Sequence, residues 1–173
     1  MKKIIFLSVF LMGFFFISNS TGLPQNGSLL INKIRLLPED IPQGFMYGVI
    51  PTPYKTTLKD NPWEFDKAAI EKLADKIYPG GDYRQISAIH VTIIARKDKP
   101  YYDDIVCYII QFKTSKAARD EIKKMSDYAS YNHDRAILHV KDNLAVFLFA
   151  DDVSNFLLLK ELDKKIADRI EKS

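Results

Sequence analysis

The chain has 173 residues, of which 47% are hydrophobic and 27% charged, so it has the composition of a folded single domain and not of a disordered or collagen-like chain. Its 25 basic and 22 acidic residues leave a net charge of +3, an excess too small to predict nucleic-acid binding. A single cysteine excludes an internal disulfide framework and a cysteine-based zinc site.

Residues 1–20 have the order of a secretory signal, which is basic, then apolar, then small. Two lysines precede the apolar run Ile4–Ile17, and Ser18 and Ser20 stand before a cleavage point ahead of Thr21. The run is shorter than the roughly 20 residues that span a bilayer, so we expect the signal to be cleaved and not to stay as an anchor. We therefore expect a periplasmic or secreted protein that has no membrane span after signal removal.

Prolines concentrate in residues 21–61, which we expect to form an extended segment leading into the body of the same domain, residues 62–173. Short strands are predicted in this segment at Leu30–Leu36 and Phe45–Ile50. Asn61 suits the N-cap of a helix and Pro62 its first position. The apolar stripe of that helix is formed by Phe65, Ala69, Leu73 and Ile77. Pro79–Gly81 is predicted to end the helix.

The rest of the chain predicts two hairpins that alternate with helices. Strands are predicted at Gln85–Lys97, Tyr102–Phe112, Ala136–Val140 and Leu144–Ala150. A helix capped by Thr114 or Ser115 and ending near Tyr131–Asn132 separates the two pairs, and a last helix runs from about Asn155 to Lys172. Because hairpins require antiparallel pairing, the fold class is α+β with an antiparallel sheet.

The inner strands of this sheet are apolar on both faces. Val106, Tyr108 and Ile110 point one way from their strand, whereas Ile105 and Cys107 point the other way. A sheet with one wet face would alternate apolar with polar residues. We therefore expect a three-layer sandwich with helices packed on both faces, and the alternative is one helical layer and an exposed apolar face that docks a partner.

Motifs for catalysis and for cofactors are absent from the sequence. It has no glycine-rich phosphate loop, no nucleophile elbow and no histidine pair with metalloprotease spacing, so we expect no catalytic residue, no metal and no cofactor. His90 and His139 lie on predicted strands, and if their side chains were adjacent across the sheet they could bind a metal or transfer a proton. Because the sequence has no metal-ligand spacing around them, we favour the interpretation that both are hydrogen-bonded structural histidines. Cys107 lies in an apolar run and is predicted to be a core residue.

Aromatic residues give the best indication of a binding surface, since the chain has nine Tyr and one Trp. Tyr101 and Tyr102 lie at a predicted hairpin turn, where burial is least, and Asp103 and Asp104 follow as a polar rim. Trp63 is predicted in the first turn of a helix and completes the proposed partner-binding set. The alternative is that the tyrosine rings are partly buried and only their hydroxyl groups are exposed to solvent.

Three stretches carry a resemblance to a known fold family. The segment Leu36–Phe45 is similar to the first segment of small exported bacterial α+β domains of unknown function. Ala136–Phe149 and the helix Leu159–Ile170 that follows are similar to the end of these domains. The order of elements resembles the Mog1/PsbP-like sandwich, a plan to which spirochaete flagellar sheath proteins are similar. The resemblance implies an exported, non-catalytic interaction or structural protein whose partners are other periplasmic proteins, a filament or a sheath. The alternative is a periplasmic domain that binds a small ligand between sheet and helix.

Overall fold

The computed structural model describes residues 26–50, 52, 55, 58–77, 82–102 and 104–173. The predicted signal, its cleavage point and the Pro79–Gly81 helix stop lie outside these residues. Within the described ranges, the helices are α1 (Asn26–Ile34), α2 (Lys67–Ile77), α3 (Ser115–Glu121), α4 (Lys123–Tyr131) and α5 (Phe156–Glu171). The strands are β1 (Phe45–Tyr47), β2 (Trp63–Glu64), β3 (Ile86–Arg96), β4 (Ile105–Phe112), β5 (Ala136–Lys141) and β6 (Leu144–Ala150).

All six strands belong to one antiparallel sheet, so the predicted α+β class is confirmed. The strand order is β1-β3-β4-β6-β5, and β2 also pairs with β3. Strand β3 is long enough to hold two short neighbours on one edge: β1 pairs with its last residues, Ile94 to Arg96, whereas β2 pairs with His90 and Val91. Both predicted hairpins, β3–β4 and β5–β6, are present with antiparallel pairing.

Buried apolar side chains form two clusters that divide the residues of the inner strands by alternation. The first cluster contains Val106 and Ile110 of β4 together with buried residues of α2, α3 and α4. The second cluster contains Cys107 and Ile109 of β4 together with buried residues of α1 and α5. Because successive strand residues point to opposite faces, each inner strand contributes to both clusters. The two-sided apolar pattern predicted for these strands is therefore present in the core.

The strand predicted at Leu30–Leu36 is wrong, because most of this stretch belongs to helix α1. Its buried side chains are Ile31 and Ile34, which are three residues apart. That spacing places both on one face of a helix, whereas a strand would turn them to opposite faces. Strand β1 lies within the predicted strand Phe45–Ile50 but has only its first three residues.

The helix start predicted at Asn61 and Pro62 is also wrong. The Asn61 side chain is used by the sheet: its Oδ1 accepts from the Ile93 amide at 2.8 Å, and its Nδ2 donates to the carbonyls of Ile93 at 2.7 Å and Gly48 at 2.8 Å. Asn61 therefore joins β3 to the chain beyond β1 and cannot cap a helix. Asp66 caps α2 instead, since its Oδ1 accepts from the Ala69 amide at 2.9 Å.

The single helix predicted after Thr114 is divided in two. Thr114 caps α3 as predicted, accepting from the Ala117 amide at 3.0 Å. Helix α3 ends at Glu121, Ile122 separates the two helices, and α4 starts at Lys123 and ends at Tyr131. The prediction that Cys107 lies in the core is confirmed, because its thiol is buried within the second cluster and burial raises its pKa strongly.

Candidate functional site

The turn between β3 and β4 presents two tyrosines to solvent. Its backbone is closed by the Lys99 amide, which donates to the Arg96 carbonyl at 2.9 Å, and by the Tyr102 amide, which donates to the Lys99 carbonyl at 3.2 Å. Tyr101 is 65% exposed and Tyr102 is 59% exposed. The Lys99 ammonium lies 5.6 Å from the centre of the Tyr102 ring, within the range of a cation–π contact.

The chain just after β1 runs beside this turn and adds apolar surface to it. The Val49 amide donates to the Pro100 carbonyl at 2.6 Å. Gly48 allows the close approach, since a Cβ there would lie 3.1 Å from the Ile93 Cγ2 and 3.4 Å from the Tyr102 carbonyl oxygen. Val49 and Met46 are both exposed. We call the four exposed side chains of this region, Met46, Val49, Tyr101 and Tyr102, the hairpin surface.

The polar rim predicted at Asp103 and Asp104 is not present at Asp104. Asp103 lies outside the described residues. Asp104 is buried, its Oδ2 accepts from the Arg96 amide at 2.9 Å, and its Oδ1 lies 3.3 Å from the Arg96 Nε. Asp104 therefore closes the base of the turn and contributes nothing to a solvent-facing rim.

Trp63 is not brought next to the tyrosines. It lies on β2 opposite Val91, whereas the turn begins beyond Arg96, about 17 Å further along β3 at strand spacing. Its ring is half-buried against the first cluster, and the Lys59 ammonium lies 5.8 Å from the ring centre. The predicted partner-binding set is thus divided between two places on the sheet.

The two strand histidines do not meet. His90 pairs with Ile109, Ile109 with Val146, and Val146 with His139, so two strands and about 14 Å separate the histidines. Among the described residues, no three acidic, histidine or cysteine side chains converge as a metal site would require.

A group of buried polar side chains lies on the second-cluster face of β3 and β4. We call His90, Thr92 and Gln111 the polar cluster; they are 3%, 1% and 9% exposed. Strand register places His90 opposite Ile109, Thr92 opposite Cys107 and Gln111 opposite Ala88, so all three point to the same face. Both imidazole nitrogens of His90, the Thr92 hydroxyl and the Gln111 Oε1 are buried without a hydrogen-bond partner.

The protonation state of His90 follows from this position. Burial lowers its pKa to about 4, and the nearby Arg35 guanidinium acts in the same direction. The imidazole is therefore neutral at pH 7, with one nitrogen that donates and one that accepts. Arg35 directly follows α1, and its Nε is also buried without a partner.

Sequence reasoning missed both Met46 and Val49 and the polar cluster. No local pattern brings Met46 and Val49 to the predicted tyrosines, since Val49 and Pro100 are far apart in the chain. The polar cluster did leave a signal, because His90 and Thr92 are two residues apart in an apolar strand and so share a face.

Within the described parts of the chain, no helix combines the length and the apolar character needed to cross a bilayer. Comparison of the chain with protein-family models, with curated proteins and with solved structures finds no match.

Proposed function

We propose that the chain is an exported, non-catalytic interaction protein that docks to a protein of a periplasmic assembly, with a flagellar sheath as the specific candidate. The observation that carries the proposal is the hairpin surface. Two exposed tyrosines lie on a turn closed by hydrogen bonds, and two exposed apolar side chains lie on the segment that pairs with the end of β3 and with Pro100. The sheath is suggested only by the resemblance of the sequence.

The chemistry of the hairpin surface suits a protein partner. Tyrosine offers a large apolar area and a hydroxyl with few rotatable bonds, and a few such anchors dominate the binding energy of most interfaces. The neighbouring Lys97, Asp98 and Lys99 are exposed charges that border the anchors on one side. Aromatic anchors beside a charged border are the usual arrangement of a small protein interface.

The proposal is tested by changing Tyr101 and Tyr102 together to alanine. Partner binding should weaken by about 2 kcal/mol or more, which is about thirtyfold in Kd, because both anchors are lost. Folding should change little, since both side chains are mostly exposed. The measurement is recovery of partners from a periplasmic extract, followed by titration of the purified partner.

Tyr131→Ala is the matched control. Tyr131 is the most exposed of these tyrosines and ends α4, which packs near β5 at the other edge of the sheet. This variant should bind like the wild type. Equal binding by all three folded proteins would eliminate the hairpin surface as the docking site.

Export is part of the same proposal and is supported by the basic, apolar and small-residue order of residues 1–20. Mass spectrometry of the periplasmic or secreted protein should show a chain that begins at or near Thr21. An intact Met1 on the extracytoplasmic protein would contradict cleavage.

A three-layer arrangement is likewise proposed, with α2–α4 on one face of the sheet and α1 and α5 on the other. It is supported by the two clusters, which divide β4 by alternation and contain different helices. NMR contacts should join Val106 to Met125 and Ile109 to Leu162. Contacts from both strand residues to a single helical layer would contradict it.

The alternative function, binding of a small ligand between sheet and helix, is favoured by a separate observation, the polar cluster.

A further inference from the structure

The described residues contain six buried side-chain polar atoms that have no hydrogen-bond partner, and five of them lie on His90, Thr92, Gln111 and Arg35. The sixth is the Oδ1 of Asp163 on α5. Buried polar groups in native proteins are almost always paired with protein groups or with ordered water. Their concentration in one place therefore indicates that something else supplies the missing hydrogen bonds.

Helix α1 covers the strands that carry the polar cluster, since it contacts β3 and β4. Its fully buried described side chains are Ile31 and Ile34, while Leu29 is largely exposed. A nine-residue helix is too short to be stable without tertiary packing. Helix α1 also contacts α5, and Leu30 packs against the second cluster. Over the sheet, however, it covers four unpartnered polar atoms, so hydrogen bonds to those atoms would further stabilise its packed position.

The donors and acceptors of this layer define the chemistry of its occupant. His90 is neutral at pH 7 and offers one donor and one acceptor, Thr92 offers either, and the Gln111 Oε1 accepts. The Arg35 Nε can only donate. The walls are apolar, formed by Ile31, Ile34, Cys107 and Ile109. The Arg35 guanidinium repels cations, and an anion would lose its hydration among such walls with a single charged donor in return. An uncharged molecule with both donors and acceptors would match His90 and Thr92 without that cost.

We propose that the polar cluster lines a binding site for a small, uncharged molecule that both donates and accepts hydrogen bonds, enclosed between α1 and strands β3 and β4. The site is independent of the hairpin surface and shares no residue with it. Ala88, which lies opposite Gln111, is about 13 Å from Thr92 along β3 at strand spacing, and His90 lies between them. A molecule of a few heavy atoms would therefore bind at His90 and Thr92, with Gln111 at the far end of the lining. The bound molecule holds α1 closed.

The test is an NMR titration of the purified protein with acetamide and, separately, with ethylene glycol, the smallest convenient probes that carry both functions. The His90 ring signals should shift and saturate, and amide hydrogen exchange along α1 should slow at least threefold at saturation. Acetate and methylammonium are charged molecules of similar size, and they should change neither the His90 ring signals nor the amide exchange along α1. Absence of any saturable shift with both neutral probes would overturn the proposal, as would equal shifts with the ions.

Thr92→Val distinguishes a ligand site from a structural hydroxyl. Its hydroxyl has no protein partner, so the variant should fold with unchanged or higher stability while probe affinity falls at least tenfold. Ser87→Ala on the same strand is the control, because the Ser87 hydroxyl already donates to the Gln111 carbonyl at 2.9 Å. Probe affinity in this variant should remain that of the wild type.

Internal water alone is the competing outcome. Water contacts to His90 and Thr92 that neither probe displaces would show that the layer holds only structural water, and would overturn the proposal. Failure of this site would leave the docking function untouched, because Tyr101 and Tyr102 are assayed by partner binding and not by the probes.

Discussion

Replacing Arg169 with methionine tests the contact that holds the segment after α1 against α5. The carboxylate of Asp40 is buried, at 5% exposed, and receives the guanidinium of Arg169 through two hydrogen bonds of 2.7 and 2.9 Å. The Leu37 amide donates to the same carboxylate at 2.7 Å. Arg169 also donates to the Arg35 carbonyl at 2.8 Å, so one side chain fixes two points of the segment.

The magnitude follows from what the change leaves behind. Loss of one partner of a buried ion pair costs about 3–5 kcal/mol, because the other charge stays in place without compensation. Lys165 remains 3.8 Å from Asp40, and the Leu37 amide also remains, which favours the lower end, about 3 kcal/mol. In a domain of this size that corresponds to a decrease in Tm of about 6–12 °C.

The pH dependence gives a second check on the same pair. Burial raises the pKa of Asp40, but the hydrogen bonds from Arg169 and Leu37 outweigh burial and hold the pKa below 3.8. A depressed carboxyl pKa stabilises the fold above the unfolded value and loses that stability as the pH falls below about 4. The difference in stability between the wild type and Arg169→Met should therefore shrink in that range.

Urea denaturation followed by circular dichroism measures these differences. Lys164→Met on the same helix is the matched control, since the Lys164–Asp168 pair is exposed and should contribute less than about 0.5 kcal/mol. The double variant Asp40→Asn with Arg169→Met should show a coupling energy of at least about 1 kcal/mol. If Arg169→Met is as stable as Lys164→Met, the buried pair does not hold the segment and the reasoning is refuted.

Three further outcomes are expected. Asn61→Ala should lower the free energy of unfolding by about 2–3 kcal/mol in urea, because it leaves the Ile93 amide without its partner, and an unchanged value would contradict the bridging role. The folded-state pKa of His90, about 4, lies below its unfolded value of 6.5, so its contribution to stability is complete above pH 6.5 and decreases by about 3 kcal/mol as the pH falls toward 4. His90→Leu should remove that part of the pH dependence, and parallel curves for both proteins would be inconsistent with a buried neutral imidazole. Cys107→Ala should cost on the order of 1 kcal/mol, and the native thiol should not react with a thiol reagent at pH 8, whereas rapid labelling of the folded protein would show that the thiol is accessible.

Predictions from local sequence were wrong where a residue could form either a local contact or a contact with a distant part of the chain. Asn61 before Pro62 has the preferences of a helix start, but its amide side chain fits the gap between β1 and β2 and binds β3 there. Leu30–Leu36 contains isoleucines and leucines that suit a strand in isolation. Packing of Ile31 and Ile34 on one helical face decided the outcome.

The candidate surfaces show the same division. Exposure of Tyr101 and Tyr102 was predictable, because a hairpin turn has few neighbours that could bury them. Burial of Asp104 was not, because it depends on the Arg96 amide across the turn. Nothing in the local sequence pairs Val49 with Pro100.

The sequence by itself determined the antiparallel hairpins, the two apolar faces of β4 and β6 and the stripe of α5, because alternation, helical spacing and turn residues act over a few positions. The tertiary structure alone decided which strands lie side by side, that Asn61 bridges β3 to Gly48, and that Gln111 joins His90 and Thr92 on one covered face. These features pair residues that lie more than ten positions apart in the chain. Such pairs are set by the register of the sheet and by the packing of α1 over it, which no local pattern encodes.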